Sequence, residues 1–104
     1  MVIVQGVFRV DPAERDAYLA ETAANVRVSR AEPGCLEYCF AADPIEPDRV
    51  VLTERWESQE SLDAHLARLT RDRADAADAG AAPGVTVLSR EVEFFRVESV
   101  QPPG

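Results

Sequence analysis

The sequence predicts an α+β domain of ferredoxin-like βαββαβ order, an antiparallel sheet carrying two helices on one face. Three observations point there. Apolar, β-branched runs alternate with helix-length amphipathic segments in the order strand, helix, strand, strand, helix, strand. Breaking and capping residues fall at the joints: Asp11-Pro12, Glu32-Pro33-Gly34, the prolines at 44 and 47, and Ser58. The strands also carry apolar side chains on both parities, more than two helices on one face can cover.

The first strand is Val2 to Val10, ended where Pro12 removes a ladder donor and Asp11 offers an N-cap oxygen. A helix then runs from about Pro12 to Ala31, with Glu14 and Asp16 suiting the dipole of its first turn. Ala13, Ala17, Ala20, Ala24 and Val28 follow helical spacing and are expected to form a thin buried stripe, with Arg15, Glu21 and Arg30 in solvent. Tyr18 and Asn25, two turns apart, share a flank of this helix.

Glu32-Pro33-Gly34 stops the helix and Cys35 to Ala42 is the second strand, with Leu36, Tyr38 and Phe40 on one face and Cys35, Glu37, Cys39 and Ala41 on the other. A hairpin loop, Asp43 to Asp48, leads to the third strand, Arg49 to Glu57. Here Val50, Leu52, Glu54 and Trp56 point one way and Val51, Thr53 and Arg55 the other. Ser58 caps the second helix, whose Leu62, His65, Leu66 and Leu69 form an apolar stripe facing the sheet. From Asp72 to Gly84 the pattern reads as a frayed helix end and a loop. Val85 to Val100 supplies the last strand or strands, with a bulge expected near Ser89 to Glu93.

Both parities are apolar in several strands: Val2 and Val4 against Ile3 and Val7, Val50 and Leu52 against Val51, Leu88 and Phe94 against Val87 and Phe95. Each such side chain left in water forgoes about 1.5–3 kcal/mol. A homodimer that packs the two bare faces together is the expected remedy.

With 104 residues and 46% hydrophobic content, one domain over 1–100 with a tail at 101–104 is expected. A formal charge of −8 and a pI near 4.5 disfavour nucleic acid or an anionic membrane as partner. Gln5 and Arg9 interrupt the early apolar run, so neither a signal h-region nor a membrane span is read, and a cytoplasmic location is expected. All eleven basic residues are arginine, a mark of GC-rich coding rather than of chemistry. Cys35 and Cys39, four apart along a strand, are separated by roughly 13 Å at about 3.3 Å per residue, too far for a disulfide. Reduced thiols are expected. Two cysteines and one histidine at these spacings match no zinc pattern.

The sole tryptophan and the sole histidine, Trp56 and His65, stand at a strand end and on the helix that follows, where two such groups can line one pocket. Around them, Glu32-Pro33-Gly34-Cys35-Leu36-x-Tyr38 and Glu54-x-Trp56-x-Ser58-x-Glu60-x-Leu62-x-x-His65-Leu66 resemble the antibiotic biosynthesis monooxygenase domain family, of the dimeric α+β barrel superfamily. The resemblance implies a small oxygenase without metal or organic cofactor, converting phenols, anthrones or quinols to quinones. The family also holds haem-degrading relatives. Two departures stand out. His65 is followed by Leu66-Ala67-Arg68-Leu69 where family members often carry a Ser-Pro-His type segment, and the first strand has Gln5 and Gly6 where haem-degrading relatives place an asparagine.

An oxygenase of this kind draws electrons from a deprotonated, electron-rich ring, so it needs a base, a dry pocket and donors for developing oxyanions. His65 is the expected base, since an imidazole of ordinary pKa accepts a proton near neutrality. Trp56 is the expected wall against the aromatic substrate and an indole donor. Tyr38, Asn25, Glu54 and Arg55 are the further substrate-binding candidates, although Arg55 has the wrong parity to share Trp56's face, and Glu54 also suits a buried carboxylate paired with an arginine or a backbone donor. Against this stands a plain core role for Trp56 and His65. Two other functions compete: a non-catalytic small-ligand-binding or stress-related barrel, and haem binding through His65. The oxygenase reading requires the indole and the imidazole to face one enclosed hollow beneath the helices, and solid packing between them contradicts it.

Overall fold

The β-branched run after Met1 forms β1 (Val2–Val10), which lies inside a four-stranded antiparallel sheet of order β2-β3-β1-β4. A computed structural model describes residues 1–103; Gly104, the end of the expected tail, lies outside the described residues. After β1 a 3₁₀ turn at Pro12–Glu14, capped by the Asp11 carboxylate on the Ala13 N–H at 2.9 Å, opens into α1 (Arg15–Ala31). Strands β2 (Cys35–Ala42) and β3 (Arg49–Trp56) form a hairpin, α2 (Gln59–Asp78) follows, and β4 (Val87–Arg96) returns to pair with β1. This is the expected ferredoxin-like arrangement.

Register decides which residues meet. Val2, Val4, Gly6 and Phe8 oppose Trp56, Glu54, Leu52 and Val50, so the buried parities of β1 and β3 point together at the helices. In β2 a bulge between Cys35 and Glu37 puts Cys35 opposite Trp56 and Tyr38 opposite Glu54. Cys35 is therefore on the core side, and Leu36, expected beside Tyr38 and Phe40, is 44% exposed. Both thiols are free.

Helix α1 buries a different face from the one its alanines suggested. Ala13, Ala17, Ala20 and Ala24 are exposed and so is Val28, while Tyr18 and Ser29 are buried, with Thr22 and Asn25 half-buried between them. Residues 18, 22, 25 and 29 lie on one helical stripe: Tyr18 packs edge-on against Phe40, Thr22 donates to the Leu19 carbonyl, and Asn25 and Ser29 join the network described below. Packing of Tyr18, Leu19 and Val26 on the core, together with these hydrogen bonds, sets which side faces inward. Arg15, expected in solvent, is half-buried and donates to the carbonyls of Asp43 and Glu46, tying α1 to the β2–β3 loop.

Helix α2 is capped by Ser58, whose Oγ accepts from the Ser61 N–H at 3.1 Å, and it continues to Asp78, past the fraying expected at Asp72. Leu62 and His65 are buried, whereas Leu66, expected in the same stripe, is exposed. In β4 the bulge falls at Leu88, one residue before the expected segment, because Arg9 pairs with Ser89 and Val10 with Val87. No helix among the described residues is long and apolar enough to cross a membrane.

Candidate functional site

The end of β3 delivers Glu54 and Trp56 to the helix-facing side, and the second turn of α2 places His65 on top of them. All three are buried, Trp56 at 0% and His65 at 1% exposure. Tyr38 arrives from β2 on the same side. The Tyr38 and His65 ring centroids are 5.2 Å apart at 63°, and those of Trp56 and His65 are 4.7 Å apart at 34°. Of the expected site residues the fold thus brings together His65, Trp56, Tyr38, Glu54 and Asn25. Arg55 is exposed on the opposite face, paired in register with Ile3 and Glu37 and remote from this cluster; strand alternation put it there.

The polar groups form a nearly closed circuit. The indole Nε1 donates to Glu54 Oε1 at 2.9 Å, and His65 Nε2 lies 3.8 Å from the same oxygen, beyond hydrogen-bond length. On the other side of the ring, Nδ1 is 2.8 Å from Glu32 Oε1. Arg68 Nη2 donates to Glu32 Oε1 at 2.9 Å, to Asn25 Oδ1 at 2.9 Å and to Ser29 Oγ at 3.0 Å. Because arginine can only donate, the Asn25 oxygen must face it, which leaves the amide nitrogen to donate to the Tyr38 hydroxyl at 3.0 Å.

The titratable groups are displaced in opposite senses. Burial pushes the Glu54 carboxyl up, and the hydrogen bond from Trp56 and the neighbouring imidazole only partly offset this. Burial acts upward on Glu32 too, but the hydrogen bonds from Arg68 and His65 outweigh it and hold that carboxyl below its ordinary range. Burial, then the Glu54 charge, push the Tyr38 phenol up to about 12. Glu32 is therefore an anion at neutral pH, an acceptor only, so Nδ1 of a neutral His65 carries the proton. Its Nε2 then presents a lone pair, buried and without a hydrogen-bond partner, as is Arg68 Nε.

Two expectations are corrected at this point. The rings converge, but no hollow separates them: centroids 4.7 Å apart amount to direct packing. Among the open clefts, one of about 280 Å³ at the β2 edge is lined by Arg30, Cys35, Leu36, Glu37 and Tyr38, and another of about 230 Å³ lies on the bare sheet face beside Gln5, Thr53 and Glu93; neither is lined by Trp56 or His65. Glu54 pairs with the indole and not with an arginine or a backbone donor. Glu32, Ser29 and Arg68 were not singled out from the sequence. Position supplied a usable signal, since Arg68 is one turn beyond His65 and Ser29 one turn beyond Asn25 on the same helical faces. Glu32 stands in the sequence as a helix stop and as the first residue of the family-like Glu32-Pro33-Gly34 segment, neither of which marks it as a partner of His65. No group of three or more His, Cys, Asp or Glu able to hold a metal ion occurs among the described residues.

Comparison with known proteins adds the family. A model of the antibiotic biosynthesis monooxygenase family matches residues 1–77. A Synechocystis protein of uncharacterised function is 31% identical over 65 residues, and the match covers 62% of this chain but 44% of that protein, less than half its length. A Bacillus subtilis protein described as a candidate monooxygenase is 29% identical over 65 residues, covering 62% of this chain and 68% of its own. Among solved structures, a candidate antibiotic biosynthesis monooxygenase from Deinococcus radiodurans superposes with a TM-score of 0.75 at 24% identity over 100% of both chains. A haem degrader from Mycobacterium tuberculosis superposes at 0.69 with 19% identity, covering 98% of this chain and 100% of that one. At these identities the solved structures bear on the fold.

Proposed function

The chain belongs to the antibiotic biosynthesis monooxygenase family, and on that premise we propose that it oxidises a small hydroxylated aromatic or quinol with dioxygen, without metal or organic cofactor. The observation that carries this reading is the imidazole of His65, fixed through Nδ1 and bare at Nε2. A buried acceptor without a partner costs about 1–3 kcal/mol, and a substrate hydroxyl donating to Nε2 restores that hydrogen bond while placing its proton on a base. The deprotonated ring gives one electron to dioxygen, the two radicals combine into a peroxide, and loss of water leaves the carbonyl. For a phenol or anthrone the balance is one ring position bearing hydrogen plus O2 giving one new C=O and one H2O; a quinol, which already carries both oxygens, gives up two electrons and two protons to become the quinone, and O2 leaves as H2O2. When Nε2 takes the proton, the ring keeps its Glu32 carboxylate partner, 2.8 Å from Nδ1.

The direct packing of Trp56 on His65 contradicts the enclosed hollow this reading requires, so the reading depends on movement of the indole. A substrate reaches Nε2 only if the Trp56 indole moves aside, breaking its bond to Glu54. Since Trp56 is the only tryptophan, its fluorescence reports this movement directly. The direct packing of Trp56 on His65 favours a second reading, a non-catalytic barrel in which both residues are core. Oxygen uptake with a panel of quinols and anthrones decides between them. Turnover by the wild type that falls about 10²-fold or more in His65→Ala supports the base. Absence of uptake with every substrate, together with unchanged fluorescence, leaves the core reading. Haem is expected to leave its Soret band unshifted on titration; a shifted band assigns haem binding to this chain.

The partner in this reading is a second copy. On β4, Leu88, Val92, Phe94 and Phe95 are exposed on both faces of the strand, together more apolar surface than a free edge strand keeps in water. Sedimentation at micromolar concentration is expected to give a dimer, and a monomer refutes it.

A further inference from the structure

Glu32 ends α1 with an extended backbone, the geometry imposed by Pro33 behind it. Gly34 then turns back with φ +81, its carbonyl accepts from the Glu57 N–H at 2.8 Å, and its bare Cα faces Ser61. This turn locks the end of α1 to the start of α2. The lock holds the Glu32 carboxylate beneath His65, whose Nδ1 is 2.8 Å away and whose ring is 1% exposed.

We infer that Glu32, with Arg68 holding its carboxylate, is the positioning residue that fixes His65 in the Nδ1–H tautomer, so that the lone pair at Nε2 is turned toward Glu54, away from Glu32. The inference rests on the reading of His65 as the base and names what makes it one. In water a neutral imidazole interconverts freely between its two tautomers; here one is selected. A carboxylate at Nδ1 also stabilises the imidazolium that forms when Nε2 takes a proton, and it does so from inside the protein, where screening is weak. Arg68 keeps that carboxylate ionised and immobile: a single Nη2 reaches Glu32, Ser29 and Asn25, so the carboxylate cannot turn without breaking the link between the helices. Glu32 touches no reacting atom and acts only through the ring.

The only histidine makes the test direct. Long-range proton–nitrogen spectra of ¹⁵N-labelled protein above neutral pH are expected to show Nδ1 protonated and Nε2 bare. The Nε2–H form in the wild type overturns the inference. Glu32→Ala is expected to move the ring to the Nε2–H form and to lower kcat on the order of 10–100-fold, the range for carboxylates that orient a functional imidazole, with KM little changed. An unaltered tautomer and rate overturn it. Should Glu32→Ala fail to fold, Glu32→Gln, which keeps the shape but not the charge, is expected to lower kcat by about 10-fold, and a wild-type rate in that variant overturns the inference equally. Undiminished turnover in His65→Ala instead ends the reading of His65 as base, while the nitrogen spectra still report whether Glu32 selects the tautomer.

Discussion

Strands β3 and β4 flank opposite sides of the structure's centre, both amphipathic by sequence, and they come to opposite fates. In β3, Val50, Leu52, Glu54 and Trp56 are all buried, including a carboxylate. In β4, Leu88 is 66% and Phe94 57% exposed, though Phe94 pairs with Val4, itself buried. The side chains do not account for this. What differs is the cover: α1 packs against β2 and the start of α2 against β3, while among the described residues β4 packs mainly on β1, with Val87 alone reaching the core. Burial is a property of the layer above a residue, and a glutamate under that layer is more enclosed than a phenylalanine outside it.

The largest expected effect tests the covered side. Trp56→Ala deletes the largest fully buried side chain and leaves Glu54 and His65 facing a cavity, at a cost of about 3–5 kcal/mol, read as a fall in the urea midpoint. Phe94→Ala removes a comparable ring from the uncovered side and is expected to cost within about 1 kcal/mol in dilute protein. At higher concentration the same variant should lose any stability the wild type gains from self-association. Equal costs for the two substitutions in dilute solution would dissolve the contrast.

Next in size is the turn that joins the two helix ends. Gly34→Ala combines the left-handed backbone at φ +81 with a Cβ that would overlap Ser61 Oγ and come within 2.6 Å of its Cβ. The backbone term alone costs roughly 1–2 kcal/mol, so about 2–4 kcal/mol in total is expected by thermal unfolding. A loss below about 0.5 kcal/mol would mean that the helix ends are not locked there.

Much of the fold was legible. Caps and breakers at Asp11, Pro33-Gly34 and Ser58 mark where elements begin and stop, and alternation in β3 put Trp56 and Glu54 together while sending Arg55 away. The failures share a cause. The alanine stripe of α1 misled because Tyr18 packs on Phe40 and Asn25 and Ser29 gain hydrogen-bond partners across space, contacts that no helical period encodes. Leu36 misled because one bulged residue inverts a strand's alternation, and no local residue announces it. Within the candidate site, Trp56 and His65 stood out by being single. Glu32 and Arg68 did not, since an acid before Pro-Gly and an arginine on a polar helix are common, and only their convergence on one imidazole gives them meaning.

The smallest expected effect separates the two buried carboxyls within the covered side. Glu32 is held below its unfolded value of 4.5, so the folded state binds fewer protons than the unfolded one at and below that pH. Its contribution is present above 4.5 and is lost as pH falls through the lower folded value. Glu54 is raised above 4.5, so the folded state retains a proton the unfolded state has released. Its contribution is present below 4.5 and is lost as pH rises through the higher folded value. The two windows adjoin. Glu32→Gln is therefore expected to flatten stability on the acid side of pH 4.5, and Glu54→Gln on the side toward neutrality, each by chemical denaturation across the pH range. Glu54→Gln keeps an oxygen for the Trp56 indole, so the packing it tests is unchanged. The same sign of change in both variants would mean that Glu54, like Glu32, is held as an anion, and the imidazole of His65 would then lie between two negative charges.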